Sequence, residues 1–104
     1  IDPESELYIK SRMFSAFLLR QSGELERSES AARQALERSP TDRQILLFIV
    51  AVLKEREELE EARALLEASL NEEPNNERLL LGLGALLADL GEEDRARTVM
   101  HRVI

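Results

Sequence analysis

Leu80-x-x-Leu83-Gly84-x-x-Leu87, followed by Gly91 and then Ala96-x-x-x-Met100, is the stretch on which the reading of this chain turns. Its large aliphatic residues recur at spacings of three and four, the mark of a helix with one apolar face. Gly91 interrupts the pattern, and the same spacing resumes in Ala96, Val99, Met100 and Val103. The stretch therefore predicts two helices joined by a tight turn, one ending at about Leu90 and the next covering about Glu92 to Val103. Gly82 and Gly84 lie inside the first of these, at roughly 1 kcal/mol each relative to Ala in an exposed helix.

This order of residues resembles the tetratricopeptide (TPR) pattern of a large residue, Leu-Gly, an aromatic, Ala and a second large residue, with aliphatic side chains replacing the aromatics. The family repeat is about 34 residues, and the chain agrees with itself when slid by that length. Pro40 falls on Pro74, Ala62 on Ala96 and Leu36 on Leu70, and Gly23 and Gly91 are in register. Leu19, Leu53 and Leu87 superpose, as do the small residues Ala16, Val50 and Gly84. The resemblance implies an all-α fold, a right-handed α-solenoid of three helix-turn-helix units with six antiparallel helices. The units cover about 7–40, 41–74 and 75–104, in a single domain. It also implies that another helix passes close to Gly84, whereas Gly82 has no such family precedent.

Length and composition are consistent with that expectation. A chain of 104 residues is the size of one domain, and three repeats are the usual minimum for stacking units that bury their apolar faces against one another. Hydrophobic residues make up 43% and charged residues 34%, which fits a folded helical protein rather than disorder. With 14 basic against 21 acidic residues the net charge is −7, which argues against nucleic acid or an anionic membrane as the main partner. The chain has no cysteine, which excludes disulfides and thiolate chemistry and suits the cytoplasm or the periplasm alike. Its longest apolar run, Ile45 to Leu53, is far short of the roughly 20 residues of a membrane span.

Taken in order, Asp2-Pro3-Glu4 reads as a helix start, and the first helix is expected to run to about Ser22, ended by Gly23 in the left-handed conformation. A second helix covers about Glu24 to Arg38. Thr41 is the expected cap of a third helix, about Asp42 to Arg56, with Gln44 completing a capping box. This helix is the most apolar part of the chain, as a middle repeat with neighbours on both sides requires. The next turn, Glu57-Glu58, lacks the Gly of the other two. A fourth helix covers about Leu59 to Glu72, and Asn75 or Asn76 caps the fifth. The first unit departs most from the pattern, with Arg12, Ser15, Ser28 and Ala32 at family positions. It reads either as a terminal repeat or as a longer, differently packed helix. Ile1 is not a methionine and Ile104 falls within an expected helix, so the chain reads as a piece cut from a longer protein, with Met100, Val103 and Ile104 expected to be partly exposed.

In TPR modules the first helix of each unit lines a concave groove that holds a peptide or helix. By register the resemblance places Lys10, Met13, Phe17, Arg20 and Gln21 there from the first unit, and Gln44, Leu47, Ala51, Lys54 and Glu55 from the second. Arg78, Leu81, Ala85, Ala88 and Asp89 follow from the third. The apolar strip Met13, Phe17, Leu47, Ala51, Leu81 and Ala85 suits an amphipathic helix. The competing reading makes Met13 and Phe17 core residues of a long first helix. The carboxylate-holding TPR modules use Lys, Asn and Arg at positions that here carry Met13, Phe17, Phe48, Arg78 and Gly82, so that subfamily is rejected. The acidic cluster Glu55, Glu57, Glu58, Glu60 and Glu61 reads as a solvated surface favouring the next helix N-terminus. His101, the only histidine, has no partner set of metal or general-base spacing. No catalytic residue, metal ligand set or cofactor site is expected, and the chain reads as a non-enzymatic scaffold or adaptor for another protein. The alternatives are homo-oligomerisation through uncapped terminal helices and a regulatory appendage of a larger enzyme or membrane complex. The register carries a stability prediction: Leu53→Ala and Leu87→Ala should each cost about 2 to 5 kcal/mol through cavity formation, so melting curves matching wild type would contradict it.

Overall fold

The computed structural model describes residues 2–103, and Ile1 and Ile104 lie outside the described residues. It consists of six helices: α1 (Pro3–Gln21), α2 (Leu25–Arg38), α3 (Arg43–Glu55), α4 (Leu59–Glu72), α5 (Glu77–Asp89) and α6 (Glu93–His101). They fall into two compact units, Ile1–Arg56 and Glu57–Ile104.

Helix starts alternate between two kinds. α1, α3 and α5 begin at side-chain caps. Asp2 accepts from the Ser5 amide at 2.8 Å, Asp42 from those of Gln44 and Ile45 at 2.9 and 3.1 Å, and Asn76 from that of Leu79 at 3.1 Å. The expected cap Thr41 is therefore corrected to Asp42, its neighbour. A carboxylate accepts two amides at once and complements the positive end of the helix dipole, which a hydroxyl does not. The choice between Asn75 and Asn76 resolves to Asn76, one repeat after Asp42. α2, α4 and α6 instead follow Glu24, Glu58 and Glu92, none of which makes a side-chain cap bond.

Just before those glutamates the backbone turns left-handed. Gly23 has φ 84°, Glu57 62° and Gly91 81°. At Gly23 and Gly91 an added Cβ would meet nothing within 4 Å, so the conformation, not crowding, is what calls for glycine. Both close Schellman motifs: Glu24 N donates to Leu19 O at 2.9 Å and Gly23 N to Arg20 O at 3.1 Å, with Glu92 to Leu87 and Gly91 to Ala88 at 2.9 and 3.0 Å. Glu57, with a side chain, accepts the conformation that the other two positions give to glycine.

In the first unit α2 packs on both α1 and α3. Ala16, Ala32 and Ala35 are fully buried and Ala31 nearly so, small side chains that let two helices approach closely. The Ser28 hydroxyl, also buried, donates to the Ala16 carbonyl at 2.7 Å, and Arg12 donates to Gln34 at 3.0 Å. Arg12 and Ser28 thus depart from the family pattern because they bond the two helices together. α1, at 19 residues, is longer than α3 and α5, at 13 each. The Arg38 guanidinium stacks 4.2 Å from the Tyr8 ring centroid near this longer end. The buried Glu29 carboxylate is paired with Arg56 and, at 2.8 Å, with Arg33, so its desolvation is offset by two cations.

In the second unit α5 packs on α4 and on α6. Leu79, Leu80, Leu83, Leu86 and Leu87 are buried along α5. At Gly84 an added Cβ would sit 2.9 Å from Met100 Sδ, so the close approach expected there is made by α6. Arg63 on α4 pairs with Glu92, which Arg95 also reaches at 3.0 Å. The sixth helix ends at His101, two residues before the expected Val103, which closes a turn through its amide to Met100 O at 3.0 Å.

Two measurements follow. Glu57→Gly removes a left-handed side-chain residue costing about 1–2 kcal/mol, offset by the larger unfolded-state entropy of glycine. Its urea midpoint should rise by an amount equivalent to at most about 1 kcal/mol, and a fall would contradict the strain. The Glu92 carboxyl is held below the usual carboxylate range by the hydrogen bond from Arg63 and, less strongly, that from Arg95. Its pKa is lowered on folding, so the stability it contributes is present above the unfolded value of about 4.3 and is lost as pH falls through the folded one. Melting temperature against pH should therefore fall less steeply below about pH 4.3 in Glu92→Gln than in wild type.

Candidate partner-binding face

The site is built on α1 and α3 of the first unit. On α1, Met13, Phe17 and Arg20 follow one another at three- and four-residue spacing and so share a face. On α3, Gln44, Leu47, Ala51 and Lys54 do the same. The two helices are tied by a cluster in which the Phe17 and Phe48 rings lie 6.0 Å apart at 35°. The Arg20 guanidinium sits 5.4 Å from the Phe48 centroid, and Arg20 Nε donates to Glu55 Oε1 at 2.6 Å. Arg20 is thereby held between a ring and a carboxylate, a cation–π contact completed by an ion pair.

Phe17 is 56% exposed. It is not a core residue, as the competing reading had it: its ring lies beside that of Phe48 and more than half of the residue faces solvent. Met13, Leu47 and Ala51 are half-buried, Gln44 is exposed and Lys54 half-buried. Met13 and Phe17 also border a shallow apolar depression on α1 with Lys10, Phe14, Leu18 and Gln21. In the second unit Arg78, Leu81 and Ala85 are exposed along α5, with Leu81 46% exposed.

The structure thus brings Phe17 and Arg20 together and adds Phe48, a residue absent from the groove set read from the sequence. Helical spacing held the signal, because Phe48 stands four residues after Gln44 and three before Ala51. Leu7, Phe14 and Leu18, 70%, 67% and 50% exposed, were also missed. His101 is exposed. Among the described residues no group of three or more His, Asp or Glu is placed to hold a metal ion, and no helix is long and apolar enough to cross a membrane.

The fold is that of helical-repeat proteins. A mutant of the Thermobaculum terrenum O-GlcNAc transferase superposes with a TM-score of 0.76 at 22% identity over 99% of this chain. The match covers only 20% of the transferase. A mutant of MamA superposes with a TM-score of 0.72 at 13% identity, over 91% of this chain and 69% of that one. A MamA structure designated AMB-1 does so with the same score and identity, covering 52% of its length. No curated protein matches the sequence. A family model covers residues 12–103, and the chain accordingly belongs to the TPR-like repeat family, in the group described as the Cilia and flagella-associated protein 70 middle TPR-like domain, an all-α helical-repeat scaffold for protein interaction.

Proposed function

We propose that the chain is a non-catalytic adaptor that holds an amphipathic helix or apolar peptide of another protein against the α1–α3 face of its first unit. The reading takes the chain as three repeats, 7–40, 41–74 and 75–104, whose first helices carry the contacts. Met13, Phe17, Arg20, Gln44, Leu47, Ala51 and Lys54 make up the main footprint. Arg78, Leu81 and Ala85 are a separate stripe on α5 for a contact of its own.

The observation that carries this reading is Phe17, an exposed ring set beside the Phe48 ring. An aromatic side chain has few rotatable bonds to order on binding, and aromatic anchors buried at an interface dominate its energy. Arg20 holds the Phe48 ring that supports it, while Lys10 and Glu55 supply polar groups at the margin of the apolar surface. An amphipathic helix matches such a surface, with its apolar stripe on Phe17, Leu47 and Ala51 and its polar face to solvent.

The experiment is selection of helical peptides on the wild-type chain from an amphipathic library, followed by titration against variants. Phe17→Glu and Leu47→Glu should each weaken the selected peptides by about 30-fold or more, the effect of removing a hot-spot contact of about 2 kcal/mol. Far-UV circular dichroism should stay unchanged. Binding that survives both substitutions would overturn the proposal.

A further inference from the structure

We propose that the outer face of α1 is a self-association surface on which a second copy of this chain packs its own α1, antiparallel and about a two-fold axis. Leu7, Phe14 and Leu18 are among the most exposed large hydrophobic residues of the described chain, at 70%, 67% and 50%. With Ser11, also exposed, they recur at steps of four, three and four, the spacing of a helix–helix seam. At about 100° per residue this stripe is centred roughly a quarter-turn around α1 from Phe17, and its Phe14 and Leu18 border the same depression as Met13 and Phe17, so it adjoins the partner face. The inference does not rest on that reading.

The stripe is self-complementary in size. An antiparallel pair with its axis level with Arg12 and Met13 sets Leu7 against Leu18 of the second copy and Phe14 against its Ser11, a large ring over the smallest side chain in the row. A parallel pair would oppose Phe14 to Phe14 and leave Ser11 facing Ser11 across a gap. The stripe is also uncharged, and the flanking Lys10 is paired with Glu6 at 3.3 Å on the same helix.

The charge distribution selects a second copy over a basic partner. Residues 1–56 hold nine basic and nine acidic residues, whereas 57–104 hold five and twelve. The whole net charge of −7 therefore resides in the second unit, and a cationic partner would be drawn there. The first units that meet carry no net charge of their own, and the repulsion between two chains of −7 comes from the second units and is screened by salt.

Sedimentation equilibrium on the whole chain, over a concentration series reaching the millimolar range, tests this. The mass should rise with concentration from 11.8 kDa towards twice that value. Phe14→Glu and Ser11→Lys should each stay monomeric, with unchanged circular dichroism because both residues are exposed. An equimolar mixture of these two variants should recover a dimer. The carboxylate introduced at position 14 of one copy then faces the ammonium introduced at position 11 of the other, as only the antiparallel register allows. A mass of 11.8 kDa at every concentration would overturn the proposal and leave the face to a different protein. A dimer insensitive to Phe14→Glu, or a mixture that stays monomeric although wild type dimerises, would overturn it equally.

Discussion

The rest of the structure depends on the left-handed residue at the end of every odd-numbered helix. At Gly23 and Gly91 it lets two successive amides reach back to carbonyls of the last turn, so the ends of α1 and α5 have those acceptors satisfied at the corner. The following helix is then aimed back along its predecessor, and Ala16 or Gly84 provides the room for it to close. Glu57 occupies the same conformation at the same point of the repeat. A repeat that keeps its backbone where its side chain has drifted shows that the geometry is the constraint and glycine only its cheapest solution.

Polar groups finish what the small residues begin. The Ala16 carbonyl accepts from the Ser28 hydroxyl and so satisfies it in the buried seam of α1 and α2. Glu29 is neutralised by arginines from α2 and from the end of α3, and Glu92 by arginines from α4 and α6. These pairs add direction to packing that apolar contacts leave loose, because a half-buried carboxylate is satisfied only when its cation is in one place.

Function follows from what is left uncovered. Among the described residues the exposed large hydrophobic side chains fall mainly on α1. On one side of that helix Phe17 rests on Phe48 beside Arg20; on another, Leu7, Phe14 and Leu18 stand free of charge. A helical repeat used as a scaffold needs surfaces of this kind, apolar enough to attract and rigid enough to bind without a large entropic cost.

The sequence by itself determined the six helices, their turns and the repeat, because each rests on local chemistry that recurs about every 34 residues: apolar spacing, a cap and a corner. Even the error at Thr41 moved the cap by a single residue, to a carboxylate already visible in the chain. It also held the faces on which Met13, Phe17, Leu47 and Leu81 lie. What it did not hold was which large side chains stay exposed and which residues meet across helices. Phe48 belongs beside Phe17, and Glu29 beside Arg56, only after α1, α2 and α3 have been brought together. Leu7 and Leu18 are large apolar residues that the packing leaves exposed. Those outcomes depend on contacts between positions far apart in the chain, and only the tertiary structure decided them.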